Sequence, residues 1–231
     1  MFMRRFGYAV TMLVALLGVA LMATATPAQA DTFNLTSCHL SGGCGTVTQF
    51  GTVTLTQVGA NVTFDVVLNS GNRFVETGAG GNSLFVFNDT TTHTVSNISA
   101  TLDGNTVTIT GGLSGATNTA PNNADGTGDF TAAVFCTTAS SCNGGSTPNI
   151  NDLHFTVQGA MIADLTTANA NGNIFVADIL CNQTGCGGGT GPVDVSAPVP
   201  EPTTLLMVGT VLAGLGAAWR RSRSRRGALA V

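Results

Sequence analysis

Lysine is missing from this chain of 231 residues, whose eight basic residues are all arginine, and only 9% of the chain is charged. The arginines are also badly distributed for a basic surface. Seven lie near the two ends (Arg4, Arg5, Arg220, Arg221, Arg223, Arg225, Arg226), leaving Arg73 alone between Asp31 and Ser196. Eleven acids share that stretch, so a formal charge of −4 for the whole chain conceals a body near −10. Such a body offers no electrostatic footprint for nucleic acid or anionic lipid, and it repels acidic polysaccharide unless a divalent cation bridges the two. Tryptophan and tyrosine are nearly absent too: one of each, Trp219 and Tyr8, both in the end segments. The body therefore lacks the rings on which a sugar face is usually stacked. No amphipathic helical period is evident in it.

What the body does have is alternation. Val62, Phe64, Val66 and Leu68 are interleaved with Asn61, Thr63, Asp65 and Val67. Ile98, Ala100 and Leu102 repeat the pattern, as do Leu153, Phe155 and Val157. A period of two marks half-buried strands and argues against disorder in a Gly-, Thr- and Asn-rich chain. Further strands are predicted at 53–58, 83–88, 106–110, 129–136, 159–165 and 174–181. Turn chemistry separates them: Gly59-Ala60, Asn69 to Asn72, and Asp103-Gly104, a strong hairpin signal. Residues 111–128 read as a polar loop and 187–199 as a flexible Gly/Pro-rich linker. With ten phenylalanines for a core, the expected fold is all-β: an antiparallel sandwich or jelly roll over 31–186.

Six cysteines fall in close pairs, Cys38 with Cys44, Cys136 with Cys142 and Cys181 with Cys186. Six allow fifteen connectivities, and the spacing favours local bridges across Gly/Ser-rich loops. Each such bridge contributes on the order of 2 kcal/mol in the chain-entropy account. A metal site using His39 beside Cys38 is the rival reading, disfavoured by the spacing and by an oxidising compartment.

Candidate chemistry is sparse. Asn123, Asp125 and Asp129 surround Gly126 as oxygen ligands surround the bend of a calcium loop, so Ca²⁺ is a candidate ligand there. Pro121 and Ala132 stand where ligands of the full pattern belong, so a polar turn is the plainer reading. Asp152 and His154 share a strand face and form a conceivable catalytic dyad. No Gly-x-Ser-x-Gly elbow accompanies them, and the other carboxylates are scattered singly. Residues 77–82 are glycine-rich without the lysine of a phosphate loop. No catalytic residue and no firm cofactor is assigned.

The ends read differently. Arg4 and Arg5, the apolar Ala9 to Ala23, and Ala28-Gln29-Ala30 form a signal peptide over 1–30. At the other end Pro200-Glu201-Pro202 precedes an uncharged span, 203–219, closed by Arg220, Arg221, Arg223, Arg225 and Arg226. Seventeen helical residues reach about 25 Å, short but adequate for a bilayer, and the arginines hold that end in the cytoplasm. This three-part tail, 200–226, resembles the PEP-CTERM sorting signal of Gram-negative bacteria. The resemblance implies an exosortase-type membrane enzyme as partner, transient residence in the inner membrane, and delivery to the cell surface or extracellular matrix of a polysaccharide-producing bacterium. The expected role is structural or adhesive. The alternatives are a calcium-assisted carbohydrate-binding module and, third, a secreted hydrolase.

Overall fold

The computed structural model describes residues 29–77, 83–109, 112–117, 122–138 and 150–195. The chain divides between Ala197 and Pro198. The expected sorting signal and nearly all of the expected signal peptide lie outside the described residues.

Among the described residues fifteen strands follow in order: β1 Ala30–Leu35, β2 Ser37–Cys38, β3 Gly51–Val58, β4 Asn61–Leu68, β5 Arg73–Phe74, β6 Ser83–Phe87 and β7 Thr94–Leu102. Then come β8 Asn105–Thr106, β9 Leu113–Ala116, β10 Asn122–Ala124, β11 Gly128–Phe130, β12 Ala132–Cys136, β13 Asp152–Gln158, β14 Phe175–Leu180 and β15 Thr190–Val195. One six-stranded sheet runs β1-β3-β4-β13-β7-β8, and a seven-stranded sheet runs β2-β15-β14-β6-β12-β9 with β5 beside β14. β10 and β11 form a separate hairpin. Every pairing between described strands is antiparallel. The all-β expectation holds, and a sandwich fits the two sheets.

Phenylalanine joins the sheets. Phe64 on β4 stacks on Phe155 of β13 at 4.5 Å between centroids. From the opposite sheet it meets Phe87 at 5.2 Å, Phe175 at 5.8 Å and Phe85 at 6.2 Å. Phe33 meets Phe175 edge-on at 5.1 Å. Tilted and edge-to-face contacts suit the ring quadrupole, and each adds about 0.5–1.5 kcal/mol beyond area burial. The alternation seen in the sequence is what aims these rings inward: β4 and β13 bury every second residue. The central strands of the seven-stranded sheet, β15, β14 and β6, are buried on both faces. Outside it, Val86, Ala133 and Val176 pack under Ala124 and Phe130 of the β10–β11 hairpin.

Several expected boundaries change. Residues 159–165 are not a strand: Gly159 turns at φ +79, and Ile162–Leu165 forms one helical turn. The Asp164 carboxylate accepts from the Met161 N–H at its start, and Thr166 Oγ1 donates to the Ile162 carbonyl at its end. The predicted strand at 129–136 breaks at Thr131, whose hydroxyl donates to the Asp89 carbonyl. Residues 111–128 contain β9 and β10 rather than loop alone. The expected linker from 187 is also corrected, because Thr190–Val195 is a buried strand between β14 and β2. Pro192 is tolerated there because its carbonyl accepts from His39 N–H where β2 ends, so its missing donor costs little. Asp103-Gly104 behaves as read: φ values of +50 and +81 make the primed turn between β7 and β8.

Cys38–Cys44 and Cys181–Cys186 are disulfides with Cα separations of 6.2 and 6.0 Å. Cys136 is also disulfide-bonded, while Cys142, the partner read for it, lies outside the described residues. The first two loops interlock. Thr46 N–H donates to the Gly185 carbonyl at 3.0 Å. A Cβ on Gly45 would stand 2.0 Å from that same oxygen, and one on Gly189 would stand 2.4 Å from the Gly42 nitrogen. Only glycine permits this approach of backbone to backbone.

The aromatic seam predicts that Phe64→Ala costs about 3–5 kcal/mol in urea unfolding, whereas Val58→Ala, at a site 54% exposed, costs under about 0.5 kcal/mol. Equal losses would show that the seam does not carry the fold.

Candidate functional site

The β10–β11 hairpin holds the three residues read as a calcium loop. Asn123 and Asp129 are directly opposed, and Asn123 Nδ2 donates to Asp129 Oδ1 at 2.8 Å. Asp125 is exposed in the turn between them. So the fold brings two of the three together, satisfied by each other, and sets the third at the tip. The turn is held from outside: Asn169 and Asn173 side-chain amides both donate to the Thr127 carbonyl at 2.8 Å. No group of three or more His, Cys, Asp or Glu that could hold a metal ion occurs among the described residues.

His39 does not share a metal with Cys38, whose sulfur is in a disulfide. Its Nε2 lies 3.3 Å from Oδ2 of the buried Asp194, whose Oδ1 has no partner. The ring stands beside Gly126 of the hairpin turn. This arrangement ties β15 to β2 and the hairpin.

The Asp152–His154 dyad is replaced by another. β13 pairs His154 with Asp65 across the strand, and His154 Nδ1 is 3.0 Å from Asp65 Oδ1. Asp152 instead accepts from Thr101 Oγ1 at 2.6 Å. Residues at i and i+2 share a face, but directly opposed cross-strand residues are closer, so the ladder wins.

Sequence reasoning missed a tighter pair. Asp89 Oδ1 lies 2.8 Å from His93 Nδ1, and the carboxylate is fully buried. Its signal was the run Asn88-Asp89-Thr90-Thr91-Thr92-His93, an acid four residues before an imidazole in a polar turn. Asp89 also accepts from the backbone N–H of Thr91 and of His93. Thr91 Oγ1 is almost equally far from His93 Nδ1 and Nε2, at 3.4 and 3.2 Å. A hydroxyl in line with the Nε2 lone pair would stand much farther from Nδ1, so this one is not poised for proton transfer. The cluster folds a loop.

Arg73 donates through Nη2 to both oxygens of Asp103, at 3.2 and 3.0 Å. The body's lone cation is thus spent on the β7–β8 turn. Nearby, Glu76 is held above its ordinary value of 4.5 by burial and then by the charge of Asp178. Its Oε2 is shielded with no partner.

Because the folded chain raises this carboxyl's pKa, the folded state holds its proton more tightly than the unfolded state. The resulting stability is present below 4.5 and is lost as pH rises through the higher folded value. Glu76→Gln should therefore raise the melting temperature at neutral pH, and the gain should vanish below about pH 4. An identical gain at both pH values would assign it to something other than this charge.

Pro200, Glu201, Pro202, the apolar span and the five tail arginines lie outside the described residues. No helix among the described residues is long and apolar enough to cross a membrane. Comparison with curated proteins and with solved structures gives no match. Residues 198–223, however, match the PEP-CTERM protein-sorting motif. The boundary agrees with the division of the chain at Pro198. The chain carries the sorting motif of proteins handed to exosortase at the membrane.

Proposed function

We propose that the β-rich body is a structural or adhesive component of the cell surface or exopolysaccharide matrix of a Gram-negative bacterium, and that it acts without catalysis. The observation that carries the reading is the sorting motif at 198–223, which implies an exported protein processed by exosortase. Two features support the finer role. The disulfides belong to an oxidising space outside the cytosol. The paired histidines sit in folding contacts rather than beside an aligned nucleophile. In this reading 1–30 is removed on export, and 203–219 crosses the inner membrane only until the tail is cut.

Replacing Pro200, Glu201 and Pro202 with alanine should leave unprocessed chain in the membrane fraction of a strain that has exosortase. Neutralising Arg220, Arg221, Arg223, Arg225 and Arg226 should let a reporter fused after Val231 slip out of the cytoplasm. Unchanged processing in the first variant, or an unmoved reporter in the second, would overturn the sorting account.

A further inference from the structure

We propose that the outer face of the six-stranded sheet is a docking surface for an extended, uncharged polysaccharide, held without a metal ion. This inference rests on the matrix role above and names the surface and the partner chemistry.

The two outer faces of the sandwich differ. On the seven-stranded sheet the β10–β11 hairpin covers β6, β12 and β14 over a small second core. On the six-stranded sheet the outward residues of the described strands are half-buried to exposed, and the register lines them into rows across the strands. The central row is Thr32, Thr54, Asp65, His154 and Ser99. On one side of it lie Thr56, Thr63 and Thr156. On the other, Thr52 and Asp152 flank Val67. Strands about 4.8 Å apart, with outward residues about 6.7 Å apart along each, make this a grid of hydroxyls and carboxylates.

The chemistry of the grid selects its partner. It has no lysine, arginine, tryptophan, tyrosine or phenylalanine; its one ring is the His154 imidazole, held beside Asp65, and the body around it is strongly acidic. Phosphate, uronate or sulfate groups would be repelled. Large exposed apolar side chains among the described residues are limited to Val58, Val67 and Met161, too few and scattered for a protein interface core or a lipid surface. What the face does carry is acceptors. Asp65 is 51% exposed, with His154 on one oxygen, and an ionised carboxylate accepts about four hydrogen bonds. A polyhydroxyl chain supplies neutral donors at short intervals, and threonine answers with a hydroxyl that both donates and accepts and a methyl for sugar C–H groups. Without a Trp, Tyr or Phe ring to stack on, each contact is weak, so affinity comes from many contacts along one chain.

The test uses full-length oxidised chain purified in detergent, with EDTA present. Retention is measured on swollen cellulose, curdlan and dextran as uncharged probes, and on alginate as the anionic one. Retention on at least one uncharged glycan and not on alginate is expected. Thr54→Arg, which places a long cation beside Asp65, should weaken it at least tenfold. Asp65→Asn, which keeps the shape, should weaken it severalfold and guards against misfolding of the first variant. Asp125→Ala, in the hairpin turn, should change nothing. Four results would each overturn the proposal: no retention on any uncharged glycan; retention on alginate; equal retention by both face variants with native melting; or retention lost in EDTA and in Asp125→Ala. Self-association that Thr54→Arg abolishes, without glycan retention, would assign the face to a second copy. A chain that binds no glycan but mislocalises without its tail loses only this inference. One that binds glycan but needs no tail loses only the sorting account.

Discussion

Phe64 is the side chain on which the architecture turns. It stacks on Phe155 within its own sheet and reaches Phe85, Phe87 and Phe175 in the other. With no Trp or Tyr between the end segments, phenylalanine alone supplies large core groups, and it brings no polar atom that would need a buried partner. Two sheets can therefore close on a dry seam. Their outward residues are then free to be small and polar, which is why a body with one arginine and eleven acids still forms a core.

Closure at the seam leaves the ends to be fixed by other means. At one end Cys38–Cys44 and Cys181–Cys186 close two loops whose glycines pack backbone against backbone. Asn72 reinforces them from inside: its amide donates to the Phe50 carbonyl and to Gln183 Oε1, and its oxygen accepts from the N–H groups of Asn182 and Gln183. These loops bracket β15, the last described strand before the sorting motif. Any pull through the tail enters the body there, where the strand is paired on both sides. The stapled loops thus flank the strand that leads to the sorting motif.

Much of this was legible in the sequence because period two has a direct cause. A strand with one dry face must alternate, so β4 and β13 announce themselves. Two of the cysteine pairs and the sorting motif were legible for similar reasons, through proximity and through order of parts. The run Ala160 to Leu165 was not, since a short apolar stretch fits a buried strand or a helical turn equally well until tertiary contacts decide. β15 was hidden by Gly191 and Pro192, residues that punctuate most strands but here sit where a neighbour ends. The partner of His154 was hidden because strand parity tells which residues share a face, while only register tells which one lies opposite. Asp65 is 89 positions away in sequence from His154, and no local pattern links them. The Asp89–His93 pair was within local reach, but the turn that joins it is set by the contacts of Asn88 and Thr131.

A body closed by phenylalanine and stapled by local disulfides belongs to an oxidising space, where an exported chain is delivered. Peptide mapping of the exported chain by mass spectrometry, with thiols alkylated before any reduction, tests this most directly. It should find no alkylated cysteine, and bridged peptides joining Cys38 to Cys44 and Cys181 to Cys186. Six alkylated thiols, or bridges that cross between the two interlocked loops, would contradict both the fold and the compartment assigned to it.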